Sequence, residues 1–371
     1  MMTSPWLMRL TQLRELLGEK EVDALIVAGP ENRRFLSGFS AKDELLTESS
    51  GYLLISQGAA LLFTDFRYQQ WAAQEAQDFD VRVYQGGLAT LLTPLLKDLG
   101  LRRLGFESAY FTYRQYERLV KDTAAAGAEV DWLPQEGLVE GLREVKTTEE
   151  VAAMRRALQL TEAVCQEVAA SLRPGLTEGQ VAWDIERRLR EGEAEGLAFS
   201  PIVASGKNSA RPHHQPGDTV LQPGDPVILD LGARVAGYCA DLTRTFTVGP
   251  PDDRFREIYG LVKEAQSRAE KGLKAGMMSD AADALAREVI AARGYGEAFG
   301  HSLGHGVGLA VHEAPSLSPY KDRASPLKAG SVFTVEPGIY LPDWGGVRLE
   351  NMALLHQDRA EVLTSLGYLE F

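Results

Sequence analysis

The sequence predicts an α/β amino-terminal domain over residues 1–135, a linker over 136–146, and an α+β domain over 147–371. Three observations predict it. The first stretch alternates short apolar strands with helical patterns, which favours a layered α/β arrangement. The second stretch shows one order twice, two helices followed by a hairpin. All six histidines lie in that second stretch, at 213, 214, 301, 305, 312 and 356. A chain of 371 residues is long enough for two domains or more.

The elements follow in order. MMTSPWLMRLTQLREL, at the start, reads as a short amphipathic helix without the long apolar run of a secretory signal. ALIVAG (24–29), GYLLIS (51–56) and ALLFTD (60–65) read as strands, and LATLLTPLLKDLG (88–100) as a helix. From Thr147 to Leu172 the side chains Val151, Met154, Leu158, Cys165, Val168 and Leu172 fall near one helical face. Thr147 with Glu150 is a capping-box signature. Arg173-Pro174-Gly175 ends this helix, and a second runs from Thr177, capped through Gln180, to about Glu193. PVILDLG (226–232) and YCADLTRTFTV (238–248) then form a hairpin around Arg234 to Gly237. The order repeats with helices over about Asp253–Lys274 and Asp280–Arg293, interrupted at Ala275-Gly276. The second hairpin pairs SVFTVEPGIY (331–340) with GVRLENMALL (346–355), turning at Pro342 to Gly345. Helix–helix–hairpin occurring twice predicts a pseudo-two-fold repeat.

Composition narrows the function classes. The apolar share of 44% and charged share of 25% are ordinary for a soluble globular protein. A formal charge of −13 argues against nucleic acid and anionic membranes as partners, because phosphate binding needs clustered Lys and Arg. No stretch is apolar enough to span a membrane, and the cytoplasm is the expected compartment. Cys165 and Cys239 sit in helix and strand patterns without CxxC spacing, so buried free thiols are expected.

The most informative segment is HSLGHGVGLAVHE (301–313), which carries His301, His305 and His312 among interleaved glycines. Histidine is the commonest metal ligand and titrates nearest neutrality. A helix here would hold several glycines at a cost of ~1 kcal/mol each, so an extended or irregular segment facing a pocket is expected. Each hairpin adds two acids on strands that otherwise want apolar residues. Asp230 and Asp241 are centred between Val235 and Ala236, and Glu336 and Glu350 on Asp343. Turns closing there would set each pair directly cross-strand, where like charges repel. Buried charges must be paired or bound to metal. Four carboxylates and an imidazole suit two divalent ions ~3.5–4 Å apart. The oxygen-rich, cysteine-free donor set leans to Mn²⁺, with Co²⁺, Fe²⁺ or Zn²⁺ as alternatives. Singly, each acid also has a plain explanation: Asp230 in a turn with Gly232, Glu350 paired with Arg348. A single zinc held by His301, His305 and His312 is a further alternative, and it leaves the four acids unexplained.

These residues resemble the pita-bread metallopeptidase family of methionine aminopeptidase, aminopeptidase P, prolidase and creatinase. The resemblance rests on HSLGHGVGLAVHE, Asp230 with Gly232, Asp241 in CADLTRT, Glu336 in TVEPGIY and Glu350 in GVRLEN. It covers Lys146 to about Leu355, and more weakly the amino-terminal region through ENRRFLSGFS (31–40), which resembles a creatinase-like amino-terminal domain. Asn351 departs from it, since many relatives carry Asp after the last ligand, and the departure should touch the ligands' surroundings and not the metals.

The resemblance implies that Asp230 binds one metal, His305 and Glu336 the other, and that Asp241 and Glu350 bridge. A metal-bridging water would be the nucleophile, Glu336 its proton shuttle, and His213 with His312 the donors to the scissile carbonyl. Arg348 is a candidate carboxylate or backbone clamp. The implied activity is hydrolysis of Xaa-Pro bonds in dipeptides (prolidase type) or in longer peptides (aminopeptidase P type), with the dipeptidase slightly favoured. The relatives are mostly homodimers. A creatinase-like metal-free hydrolase and a non-catalytic binding module are the competing classes, and both would have lost ligands that this chain keeps. His214 is expected to be a loop residue, His301 a core or supporting histidine, and His356 a surface one. Tyr340 reaches the site or packs in the core.

Overall fold

The computed structural model describes residues 5–43 and 45–371. They divide into two compact units, Met1–Arg143 and Glu144–Phe371. The first four residues of the expected amino-terminal helix lie outside the described residues. From there on it is α1, Pro5–Glu19, which buries Leu10, Leu13 and Leu17 on one face.

In the first unit, strands β1 (Ala24–Val27), β2 (Tyr52–Ser56), β3 (Ala60–Thr64), β4 (Asp80–Val83), β5 (Arg103–Glu107) and β6 (Asp131–Gln135) form one mixed sheet. Its order is β4-β3-β2-β1-β5-β6, with β1/β2 and β2/β3 antiparallel and the other pairs parallel. Helices α2 (Pro30–Ser37), α3 (Gln69–Glu75), α4 (Ala89–Asp98), α5 (Tyr113–Ala125) and α6 (Leu138–Arg143) complete it. This is the expected α/β layer arrangement. Residues 138–143, expected as linker, are helical instead, because Leu138 and Val139 are buried.

The second unit holds the repeat. Helices α7 (Thr148–Ser171) and α8 (Glu178–Glu191) begin with the two capping boxes read from the sequence, at Thr147/Glu150 and Thr177/Gln180. After them come β7 (Gly196–Leu197), β8 (Ile202–Ser205), β9 (Pro226–Leu231), β10 (Ala233–Val235), β11 (Tyr238–Cys239) and β12 (Leu242–Thr247). Helices α9 (Asp253–Gly272) and α10 (Ser279–Ala292) open the second half. They lead to β13 (Gly304–Gly306), β14 (Glu313–Leu317), β15 (Val332–Val335), β16 (Gly338–Leu341), β17 (Gly345–Arg348), β18 (Asn351–Leu355) and β19 (Ala360–Val362). One apolar core joins α7 and α8 to β9 and β12, and a second joins α9 and α10 to β15 to β18. Cys165 and Cys239 are free and buried in the first core, as expected.

Two strand expectations change. The first hairpin is part of a three-stranded sheet β12-β9-β8, and β8 was not read from the sequence. Its register also differs. Asp230 faces Thr243, not Asp241, because the turn is centred on Ala236 and Gly237 at φ 50° and 84°. Positive φ at both central residues is the two-residue hairpin turn that matches strand twist. Asp241 lies two residues from Thr243, so with period-2 alternation it shares Asp230's face as a diagonal neighbour. The second hairpin keeps the expected register. Val335 faces Asn351 and Gly338 faces Arg348, which sets Glu336 opposite Glu350. Both strands are interrupted at these two acids.

At the start of the second unit, Lys146 Nζ meets Glu313 Oε1 at 2.7 Å, with side chains 1% and 5% exposed. Removing one partner of a buried ion pair strands the other charge. Lys146→Met is therefore expected to lower stability by ~3–5 kcal/mol, read as a fall in the urea midpoint.

Candidate functional site

β13 is wedged between β14 and β15, and glycine makes that possible. A Cβ on Gly304 would lie 2.0 Å from the Thr334 carbonyl oxygen, and one on Gly306 2.0 Å from that of Ala314. His305 between them is the side chain this strand can offer the pocket. The segment is thus extended and irregular, as the sequence suggested. His305 Nδ1 meets the Gly306 carbonyl at 3.2 Å and so carries the proton. That leaves Nε2 as an acceptor, 3.3 Å from Glu336 Oε1 and 3.7 Å from Asp241 Oδ2. A histidine oriented through its other nitrogen is the usual arrangement of a metal ligand.

Asp230, Asp241, His305, Glu336 and Glu350 line one cleft of about 990 Å³, together with His213, His312, His301 and Arg348. Ligand atoms of Asp241, His305 and Glu350 lie within 4.8 Å of one another. Glu350 Oε2 accepts from Thr243 Oγ1 at 2.6 Å, and Glu336 Oε1 from Thr334 Oγ1 at 3.1 Å. These threonines were not read as functional. The available signal was alternation, since each stands two residues along the strand from an acid, on the same face.

The electrostatics describe a crowded anionic pocket. Burial, then the charges of Glu350, Asp230 and Glu336, hold the Asp241 carboxyl well above the usual range. Burial, then Glu336 and Asp230, does the same to Glu350. Burial pushes Glu336 up to about 7 against the opposing pull of Arg348. Burial, with His312 beside it, lowers His305 to about 4, so its imidazole is neutral and ligand-ready. The His305 and His312 rings stand edge to face at 4.1 Å. Asp230 Oδ1 is buried without a hydrogen-bond partner. An unsatisfied buried oxygen and three destabilised carboxylates are what divalent cations would relieve. The donor set fits such ions.

Arg348 lies elsewhere than its sequence neighbours suggested. It is buried and pairs with Asp230 Oδ2 at 2.6 Å rather than with Glu350. Its other N–H groups donate to Thr243 Oγ1, the Pro212 carbonyl and the Tyr340 hydroxyl. Its fork grips the Asp230 carboxylate and the Pro212 backbone carbonyl in the cleft wall. Tyr340 reaches the site: its hydroxyl accepts from Arg348 at 3.0 Å and donates to His301 Nε2 at 2.8 Å. His301 Nδ1 in turn donates to the Ser302 carbonyl. His301 is a supporting histidine, as expected, and a zinc site of three histidines is not assembled. His356 pairs with Glu361 away from the cleft. His214 is more than a loop residue, since Nε2 lies 2.7 Å from the fully buried Glu178 carboxylate. Sequence spacing gave no sign of that partner. Asn351 meets Arg244, Glu270 and Tyr368, among the ligands' surroundings as expected.

Comparison with known proteins agrees with this geometry. The family model of metallopeptidase family M24 matches residues 152–357, and that of the creatinase/prolidase N-terminal domain matches residues 9–145. An Xaa-Pro dipeptidase of Pyrococcus furiosus is 34% identical over 356 residues, 96% of this chain and 97% of the relative. The structure of an Xaa-Pro dipeptidase from Bacillus anthracis superposes with a TM-score of 0.90 at 37% identity, covering 98% of this chain and 99% of that one. An X-Pro aminopeptidase from Thermotoga maritima reaches 0.85, also at 37% identity, over 97% and 99%. With both family models matched in sequence order and full-length relatives above 30% identity, the chain belongs to metallopeptidase family M24 and carries a creatinase/prolidase amino-terminal domain.

Proposed function

We propose that the protein is a dinuclear-metal exopeptidase that hydrolyses Xaa-Pro bonds, with dipeptides as its preferred substrates. The observation that carries the reading is the convergence of Asp230, Asp241, His305, Glu336 and Glu350 on one cleft, with acids too crowded to be charged together. These five would hold the ions, and Mn²⁺ is the metal the oxygen-rich set suits best. Bound divalent ions supply Lewis acidity and acidify water to a pKa near ~7.

The chain's own groups do the rest. Glu336, buried in the cleft beside His305, would accept the proton of the attacking water and pass it to the departing nitrogen. An amide nitrogen leaves as an amine only after gaining a proton, so departure of proline depends on that delivery. His213 and His312 line the cleft and donate to the scissile carbonyl as charge develops on its oxygen. Arg348 acts through Asp230, whose carboxylate it orients. Replacing Tyr340 by Phe breaks the link from Arg348 to His301 and should cost about 10- to 100-fold in kcat/KM, as losses of ligand-supporting groups do.

The likeness to Xaa-Pro dipeptidases supports the dipeptide preference. Cleavage of longer peptides, of the aminopeptidase P type, is the second reading. The cleft volume of about 990 Å³ favours it, since ligand pockets span roughly 300–1,000 Å³. We also infer a homodimer by analogy with the family, and an intracellular setting, which two free, buried cysteines support.

The test is metal-stripped protein with and without Mn²⁺, on an Xaa-Pro dipeptide and an Xaa-Pro-Xaa tripeptide. Mn²⁺-dependent cleavage of the dipeptide alone supports the dipeptidase. Cleavage of the tripeptide moves the assignment to an aminopeptidase. Inertness towards both, with any divalent ion, overturns the reading.

A further inference from the structure

Glu178 opens α8, and its side chain is fully buried. One oxygen, Oε1, accepts from the Ser205 backbone N–H at 2.8 Å, from Ser205 Oγ at 3.0 Å and from Asn208 Nδ2 at 3.0 Å. The other, Oε2, faces His214 Nε2 at 2.7 Å. An ionised carboxylate only accepts, so Nε2 carries the proton. Glu178 thus ties three pieces together: the end of β8, the turn at 206–210 and the loop that carries His213 and His214. β8 itself pairs with the strand presenting Asp230, Ile202 facing Asp230.

The loop is fastened on both sides of His213. One residue before it, the Pro212 carbonyl accepts from Arg348 Nη1 at 3.3 Å. One residue after it, His214 is held by Glu178. The two anchors flank His213, which lines the cleft with Asp230 and Arg348. The Ser205 and Asn208 contacts hold the end of β8 and the turn. The buried carboxylate–imidazole contact is the one that reaches the loop itself, at the residue next to His213.

We propose that Glu178 and His214 form a positioning pair that sets the imidazole of His213 against the substrate carbonyl. The inference rests on the assignment of His213 as a donor to that carbonyl. Misplacement of a reacting group by about 1 Å costs on the order of 10²-fold in rate, and the pair acts by preventing it.

A double-mutant cycle on the Mn²⁺-loaded full chain, with an Ala-Pro dipeptide, tests this. His214→Leu is expected to lower kcat by roughly 10- to 100-fold, while the melting-temperature gain on adding Mn²⁺ stays that of the wild type. His214→Gln keeps an amide donor towards Glu178 and should recover most of the loss. In the His213→Ala background, His214→Leu should cost nothing further, because both losses run through one imidazole. Should His214→Leu not fold, His214→Ala carries the same comparison. Losses that multiply in the double variant, or wild-type kcat in His214→Leu, overturn the positioning role while leaving Xaa-Pro hydrolysis intact. A His213→Ala enzyme as active as wild type would instead remove the carbonyl-donor assignment beneath it. Absence of Mn²⁺-dependent cleavage by the wild type would remove the whole functional reading.

Discussion

Glu336→Gln lowers kcat on an Xaa-Pro dipeptide by roughly 10²- to 10⁴-fold, the range spanned by positioned acids and bases. Two properties meet in this carboxyl. It faces the His305 Nε2 acceptor at 3.3 Å, where it would complete the proposed metal ligands. It is also the carboxyl placed to take the proton of the attacking water and return it to the leaving nitrogen. Glutamine keeps the shape and can still accept from Thr334, but it holds no proton to transfer and offers a weaker ligand. The loss should therefore fall on kcat more than on KM. Steady-state kinetics with saturating Mn²⁺ checks it. Activity within a few fold of wild type would reassign the proton shuttle.

Asp241→Asn has opposite effects on the metal-free and metal-loaded protein. Without cations, Asp241 is buried against Glu350, Asp230 and Glu336, and its raised carboxyl records that strain. A neutral amide relieves it, so the metal-free variant should melt above the wild type, by on the order of 2–4 °C for each kcal/mol relieved. With metal the order reverses. A ligand at a thousandfold excess over Kd stabilises its folded partner by about 4 kcal/mol, and the variant forfeits most of that gain. Calorimetry with and without Mn²⁺ reads both halves. An asparagine variant that melts lower than wild type in chelator would show that the acids are not strained.

The same crowding gives the metal-free wild type a pH dependence of definite sign. Glu336 keeps its proton in the folded state up to about 7, whereas an unfolded glutamate releases it near 4.5. Between those values the native state binds more protons than the unfolded state, so stability falls as pH rises through this window. Chelated protein should melt lower at pH 8 than at pH 6. Saturating Mn²⁺ should flatten the difference.

What could be read in the sequence was local or periodic. The capping boxes at Thr147 and Thr177 were legible because both partners lie three residues apart. Glu336 faces Glu350 as their spacing suggested, since the turn between them is centred on Asp343. The Asp230 register was missed because turn position depends on backbone torsion at Ala236 and Gly237, which composition does not display. Partners distant in sequence were missed for a similar reason. Arg348 reaches Asp230 across 118 residues, and His214 reaches Glu178 across 36. Nothing in either neighbourhood announces the other. Each becomes visible only when burial forces a charged group to find a companion.

The proposed ligand side chains are shared between the two halves of the repeat: Asp230 and Asp241 come from the first, His305, Glu336 and Glu350 from the second. Among the described residues the candidate ligand group, Asp241 with His305 and Glu350, draws on both halves, so ions bound there would act as a rivet driven through both. Full capture of metal during synthesis or refolding would then wait until both halves have docked. Mn²⁺ uptake would accordingly be a late reporter of folding, and a chain cut between the halves, near Gly249, should regain full uptake only when both pieces are present together.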